Sequence, residues 1–395
     1  MSMSALSRRR FIQLSGALPV SVALARPAFA AASGAALPNP GLMDVPANLV
    51  LINGNEYPSG PTPAALKALN AVAANGNRYY MAETTKFTGE LAAYHGLKPG
   101  YATIYAGSSE PLRFTTMAFT GPAKSLVTAD PTFESAWRAA DAMGAKVHKV
   151  PLKADFSYDV KAMVAADPNA GLIYICNPNN PTGAIVKRSD IEWVLENKPK
   201  GAVVLVDEAY IHFSDAESVI DLVAKDKDLV VIRTFSKIYS MGGLRFGYAL
   251  ARPDLMEKLL HYGVNSMATT AIQCAKTMLF DKDLVLLRKK ANADARDMTF
   301  EFLSKQGYAF SPSQANHFLV DMKRDGRLAA ASFANKSVII GRSWASMPTW
   351  SRVSVGSMKE MESFQTAFVD VMKDPAGKVN AMAHPYPHLE DAFRC

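Results

Sequence analysis

The sequence holds little that would mark a metal or disulfide protein. Of 395 residues only Cys176, Cys274 and Cys395 are cysteines, with no CxxC and no metal spacing among them. The seven histidines are scattered, with no HExxH. These absences exclude the common zinc motifs, and no metal site is expected; nothing in the cysteine pattern demands a disulfide. No apolar run after the N-terminus is long enough to cross a bilayer. No basic run occurs there either, which argues against nucleic acid as a partner. Internal repeats are missing, and low complexity is confined to an Ala-rich N-terminal region.

That region reads as an address. Ser7-Arg8-Arg9-Arg10-Phe11 precedes a weakly apolar stretch, Leu14 to Leu24, and Ala28-Phe29-Ala30 offers small residues for cleavage. The order is that of a twin-arginine signal peptide over residues 1–30, with cleavage after Ala30 and a periplasmic destination. A chain that keeps this segment would stay in the cytoplasm. The segment carries Arg8, Arg9, Arg10 and Arg26 and no acid, so the formal charge of +7 falls to +3 in the mature chain. No stable membrane insertion is expected after cleavage.

From Ser125 onward short β-branched runs alternate with helical patterns. Ser125–Thr128, Lys146–Val150, Leu172–Cys176, Ala202–Val206, Leu229–Arg233 and Phe246–Leu250 read as strands. Several are apolar at every position, as in a sheet covered on both faces. The alternation predicts an α/β fold with a large, mostly parallel sheet over residues 76–282. Beyond it come one long amphipathic helix, Asp283–Gln306, then short strands and a closing helix, Met358–Met372. Residues 31–75 and 283–395 are assigned to a smaller α+β domain.

Three motifs fall at or just past predicted strand ends, where α/β sheets bind ligands, and a fourth opens a helical-looking segment. Asn177-Pro178-Asn179-Asn180-Pro181-Thr182-Gly183 is a turn that can aim an amide inward. Asp207-Glu208-Ala209-Tyr210 puts a carboxylate at a buried edge, where it needs a partner, and a tyrosine three residues on. Thr234, Ser236, Lys237 and Arg245 combine hydroxyls, an amine and a guanidinium. Burial lowers a lysine's proton affinity, and the neutral amine can form a Schiff base. Gly107-Ser108-Ser109 opens a helix whose N–H groups suit phosphate. Each motif alone has an ordinary structural explanation: a connection, a helix cap or a surface lysine. Together they ask for a phosphate, a protonated ring nitrogen, a ring hydroxyl and an aldehyde. Pyridoxal 5′-phosphate (PLP) fits.

With these motifs the chain resembles the fold-type I PLP-dependent aminotransferases of class I and II, and most closely their histidinol-phosphate aminotransferase branch. Asn180-Pro181-Thr182-Gly183, Asp207-Glu208-Ala209-Tyr210, Ser236-Lys237, Gly243-Leu244-Arg245 and Ser351-Arg352-Val353 carry the resemblance. It implies that Lys237 binds the cofactor and shuttles the substrate proton. Asp207 pairs with the ring nitrogen, and Asn180 and Tyr210 hold the ring oxygen. Gly107, Ser108, Ser109, Thr234, Ser236 and Arg245 hold the phosphate, and Phe133 stacks on the ring. Arg352 forks onto the substrate carboxylate. Tyr79 reaches the phosphate of a neighbouring subunit, so a homodimer is implied. Asn55, Tyr57 and Arg342 are candidate substrate contacts. The expected activity is ping-pong transfer of an amino group from a histidinol-phosphate-like, aromatic or other L-amino acid to a 2-oxo acid. A PLP-dependent α-decarboxylase of the threonine-phosphate decarboxylase type would share nearly all these motifs, but would release carbon dioxide. A non-catalytic PLP-binding sensor would show no amino-acid-dependent spectral change.

Overall fold

Seven strands build the central sheet of the computed structural model, which describes residues 48–263 and 266–373. The signal-peptide expectation lies outside the described residues. In chain order the strands are β1 Val50–Ile52, β2 Ala102–Tyr105, β3 Ser125–Asp130, β4 Val147–Pro151, β5 Ala170–Cys176, β6 Val203–Asp207, β7 Leu229–Thr234, β8 Gly247–Leu250, β9 His317–Asp321, β10 Val338–Ile340, β11 Ser343–Trp344 and β12 Met347–Ser354. The large sheet runs β2-β8-β7-β6-β5-β3-β4. Its neighbours pair in parallel except around β8, which is antiparallel to both β7 and β2.

The apolar runs of β5, β6 and β7 serve two cores at once. Ile173, Ile175, Val204, Val206 and Val231 face one side. Leu172, Tyr174, Leu205, Val230 and Ile232 face the other. Successive side chains point to opposite faces, so a strand covered on both sides must be apolar throughout. The register places Cys176 beside Asp207, and Asp207 beside Ile232. The carboxyl ends of β5, β6 and β7 therefore share one sheet edge.

A three-stranded antiparallel sheet, β11-β12-β9, and the parallel pair β1-β10 lie in the segments flanking the large sheet in sequence. A separate core of Phe318, Val320, Phe333, Val353, Phe364 and Phe368 packs there. The helix Pro63–Ala73 packs instead on the helix Thr269–Leu279, and its Ala65 belongs to the large-sheet core. The long helix spans Leu284–Lys305, and the closing helix Met358–Lys373.

Candidate active site

One cavity gathers residues from all these strand ends. Its lining includes Gly54, Asn55, Glu56, Ser108, Ser109, Phe133, Asn180, Asp207, Tyr210, Thr234, Ser236, Lys237, Arg245 and Arg352.

Local chemistry explains why each side chain faces the cavity. After β5, Asn177 closes the loop by donating to Val186 O (3.1 Å) and accepting from its N–H (2.9 Å). Asn179 accepts from Thr132 (2.7 Å) and Tyr158 (2.8 Å) and donates to Pro131 O and Thr182. Two of the three asparagines thus fix the turn, and the third, Asn180, faces the cavity. Asn180 Nδ2 donates to Tyr210 Oη at 3.3 Å, and its Oδ1 accepts from Arg352 Nη1 at 3.0 Å.

Asp207, the last residue of β6, is 3 % exposed. Its carboxylate accepts from Tyr174 Oη (3.1 Å) and the Ala209 N–H (3.1 Å). Burial pushes its carboxyl up to about 6, with those two bonds opposing. A buried carboxylate with two neutral donors and no ion pair among the described residues suits a cationic N–H. Tyr174 was not foreseen as a site residue; it lies in an apolar strand with no motif to mark it. Tyr210 Oη also receives Asn55 Nδ2 at 3.1 Å. Burial raises the phenol well above its usual range, so it remains a neutral hydroxyl.

Lys237 lies three residues past β7, in a turn closed by the Ser240 N–H donating to its carbonyl (2.9 Å). Its Nζ donates to Gly54 O at 3.2 Å and sits 5.6 Å from the Tyr210 ring centre. Burial, with Arg352 and Arg245 nearby, lowers the ammonium to about 8, while Glu56 and Asp207 oppose this. A usable share of the amine is therefore unprotonated near neutrality.

The phosphate cradle is built from three segments. Thr234, Ser236 and Arg245 are linked by bonds of 2.9 Å (Thr234 to Ser236) and 3.4 Å (Arg245 Nη1 to Ser236). Ser108 caps the helix Ser109–Phe119 without a side-chain cap bond, which leaves its hydroxyl for a ligand. Gly107 has φ +90°, and a Cβ there would run into the Arg245 guanidinium. Only glycine fits both demands.

Arg352, on β12, is buried. Besides Asn180 it donates Nη2 to Asn53 O at 2.6 Å, and its Nε has no partner. Gly341 makes room for it, since a Cβ there would lie 2.8 Å from Arg352 O and 3.1 Å from Nε. Burial lowers the guanidinium to about 10.

Three candidates are placed elsewhere or differently. Arg342 is half-exposed, pairs with Glu134 at 2.9 Å and stacks over Trp344. Tyr57 lines a neighbouring cavity, between Phe213 and Arg288. Tyr79 is 78 % exposed and lies outside the lining of this cavity. Asn55 does line the cavity, but its amide is already bonded to Tyr210 and Ser354.

The donor set matches a phosphorylated pyridine aldehyde: a hydroxyl and guanidinium cradle, a carboxylate for the ring nitrogen, an amide and a phenol for the ring oxygen, and an amine for the aldehyde. The family model for aminotransferase class I and II matches residues 47–368. The histidinol-phosphate aminotransferase of Moorella thermoacetica is 32% identical over 341 residues, covering 82% of this chain and 86% of that protein. The structure of histidinol-phosphate aminotransferase from Sinorhizobium meliloti in complex with pyridoxal-5′-phosphate superposes with a TM-score of 0.75 at 25% identity, over 82% of this chain and 90% of that one. L-threonine-O-3-phosphate decarboxylase from Porphyromonas gingivalis shares the fold, at a TM-score of 0.71 and 21% identity, over 82% of this chain and 99% of that one. The chain belongs to the class I and II aminotransferases, and is a PLP-dependent enzyme of that family.

Proposed function

We propose that the amino donor carries an oxyanion beside its amino-bearing carbon, held by Arg352, and that the amino group passes to a 2-oxo acid in a ping-pong cycle. One observation carries this reading. Arg352 is a buried guanidinium with no carboxylate partner among the described residues, its Nε is unpartnered, and the residue lines the cavity that also holds the reactive amine. An unpaired buried cation is costly, and a carboxylate fork would neutralise it. A phosphate ester would serve equally, so the histidinol phosphate named for the relatives also fits.

Bound PLP supplies the aldehyde that the donor amine engages and a ring that draws electrons from the donor's Cα–H bond. Asp207 holds the ring nitrogen's proton. Lys237 Nζ removes the Cα proton as general base, with Gly54 O and the Tyr210 ring fixing its position. Asn180 touches both Tyr210 and Arg352, and so ties the ring-oxygen contact to the oxyanion site.

A donor panel of histidinol phosphate, aromatic amino acids, arginine and glutamate tests the reading. Loss of the holoenzyme's visible band is expected, with pyridoxamine phosphate accumulating beside the donor's ketone: a 2-oxo acid from an amino acid, a keto phosphate ester from histidinol phosphate. Carbon dioxide in their place refutes it.

We also infer a periplasmic homodimer. The basic head, apolar middle and Ala28-Phe29-Ala30 order supports export. The exposed Tyr79, Met81 and Phe280 support an interface. An intact Met1 on periplasmic material, or a monomer in sedimentation, refutes the corresponding part.

A further inference from the structure

Glu56 is an acid for which the proposed cycle has no use. Two cavities meet at it: the one holding Lys237, and a second of about 340 Å³ that also shares Ser236 and Gly242 and runs out past Tyr57, Ser59 and Gly60. Three acids line the pair. Asp207 is bonded to Tyr174 and Ala209, and Glu360 accepts from the N–H and hydroxyl of Ser357. The carboxylate of Glu56 makes no hydrogen bond or ion pair among the described residues, though it is near enough to draw on the Lys237 ammonium.

The segment that carries Glu56 is held firmly. Asn55 has φ 52°, a left-handed value uncommon for a residue with a Cβ. Its N–H donates to Ser354 Oγ (2.8 Å), its Oδ1 accepts from the same hydroxyl (3.0 Å), and its Nδ2 reaches Tyr210. Asn316 Nδ2 holds the carbonyls of Asn55 (2.9 Å) and Glu56 (3.3 Å). Bonds in this number fix where the Glu56 backbone stands. The turn puts Gly54 O on the reacting amine and Asn53 O on Arg352. Glu56 stands where the two cavities meet, so a donor held at Lys237 and Arg352 that extends its side chain into the second cavity would pass it.

We propose that Glu56 is the specificity residue for the donor side chain, selecting a cationic group (guanidinium, ammonium or imidazolium) and repelling acidic donors. The inference rests on the oxyanion reading of Arg352, and adds the chemistry at the donor's other end. Arg288, on that side, is stacked on Tyr57 and bonded to Ile238 O, Ser240 Oγ and Gly60 O, so the exposed Glu56 is left without an ion pair among the described residues.

Arginine and citrulline differ in charge but hardly in shape, as do their amine-free analogues, desamino-arginine and desamino-citrulline. With the holoenzyme, arginine should exceed citrulline in half-reaction kcat/KM on the order of tenfold. Desamino-arginine should bind tighter than desamino-citrulline by a similar factor in calorimetry. Glu56→Gln should bring both ratios close to unity, and Glu56→Asp should keep part of them. Glu56→Lys should favour glutamate over glutamine. Equal handling of the pairs by the unaltered protein, or ratios that survive in Glu56→Gln, would overturn the proposal. Selective binding without conversion of either amine upholds Glu56 and refutes the donor reading instead.

Discussion

Replacing Arg352 by glutamine should make the cofactor-free protein more stable and the enzyme much worse. Burial lowers this guanidinium to about 10, and a shift of that size corresponds to about 3 kcal/mol of destabilisation of the charged form. At neutral pH the group is protonated in both folded and unfolded chains, so the whole cost is present. It is relieved only as pH rises through the folded value. The guanidinium serves two acceptors, Asn180 Oδ1 and Asn53 O. A glutamine amide can reach one of them, and leaving the other bare costs about 1–2 kcal/mol. The balance favours the variant by about 1–2 kcal/mol, or roughly 2–4 °C in melting temperature. Donor kcat/KM should fall by roughly 10²–10³, as expected for loss of a buried charge-assisted fork. Thermal unfolding of cofactor-free protein and the single half-reaction measure the two effects. An amine-free carboxylate such as desamino-arginine should raise the melting temperature of the unaltered protein and leave that of Arg352→Gln where it was. A variant that melts several degrees lower, or keeps its donor kcat/KM, refutes the idea that Arg352 is an unpaired cation reserved for the substrate.

Lys237→Ala should abolish turnover while the protein still folds; turnover at the original rate in purified variant refutes the assignment. Acylation of Lys237 in cofactor-free protein, followed by mass spectrometry against pH, should show a midpoint near 8, and a midpoint near that of a solvated lysine contradicts the burial argument. Asp207 has a folded value of about 6, above that of a free carboxyl, so its stabilising contribution is present in acid and lost as pH rises through 6. Asp207→Asn should therefore flatten the stability profile of cofactor-free protein between pH 4 and 7, roughly, and cost activity; an unchanged slope counts against it. Glu208→Gln breaks the buried contact to Arg233 (2.7 and 2.9 Å) and should destabilise by about 3 kcal/mol in denaturant titration; a loss below about 1 kcal/mol would show that the pair is well solvated.

The legible part of this protein is the part that local physics writes into short stretches. A strand covered on both faces is apolar at nearly every position, so the runs ending at Cys176, Val206 and Arg233 are legible, and the polar residues after them stand out as ligand candidates. The helices Met81–Tyr94 and Thr269–Leu279 carry no such signal. Their caps, a left-handed Tyr80 and Ala268, make no side-chain bond to the first turn, so neither start shows the usual residue pattern. Strand β2 has four residues and gains its place only by pairing with β8. What turns a cofactor cradle into an enzyme with a particular donor is written at longer range still. Asn53 meets Arg352 and Asn55 meets Ser354, each across 299 residues of sequence. Periodicity assigns a residue to a face and says nothing about which distant residue it will meet there. The family resemblance marks Asn55 as a substrate contact. In the folded chain that amide holds the turn, and the free carboxylate beside it, Glu56, is left to face the donor.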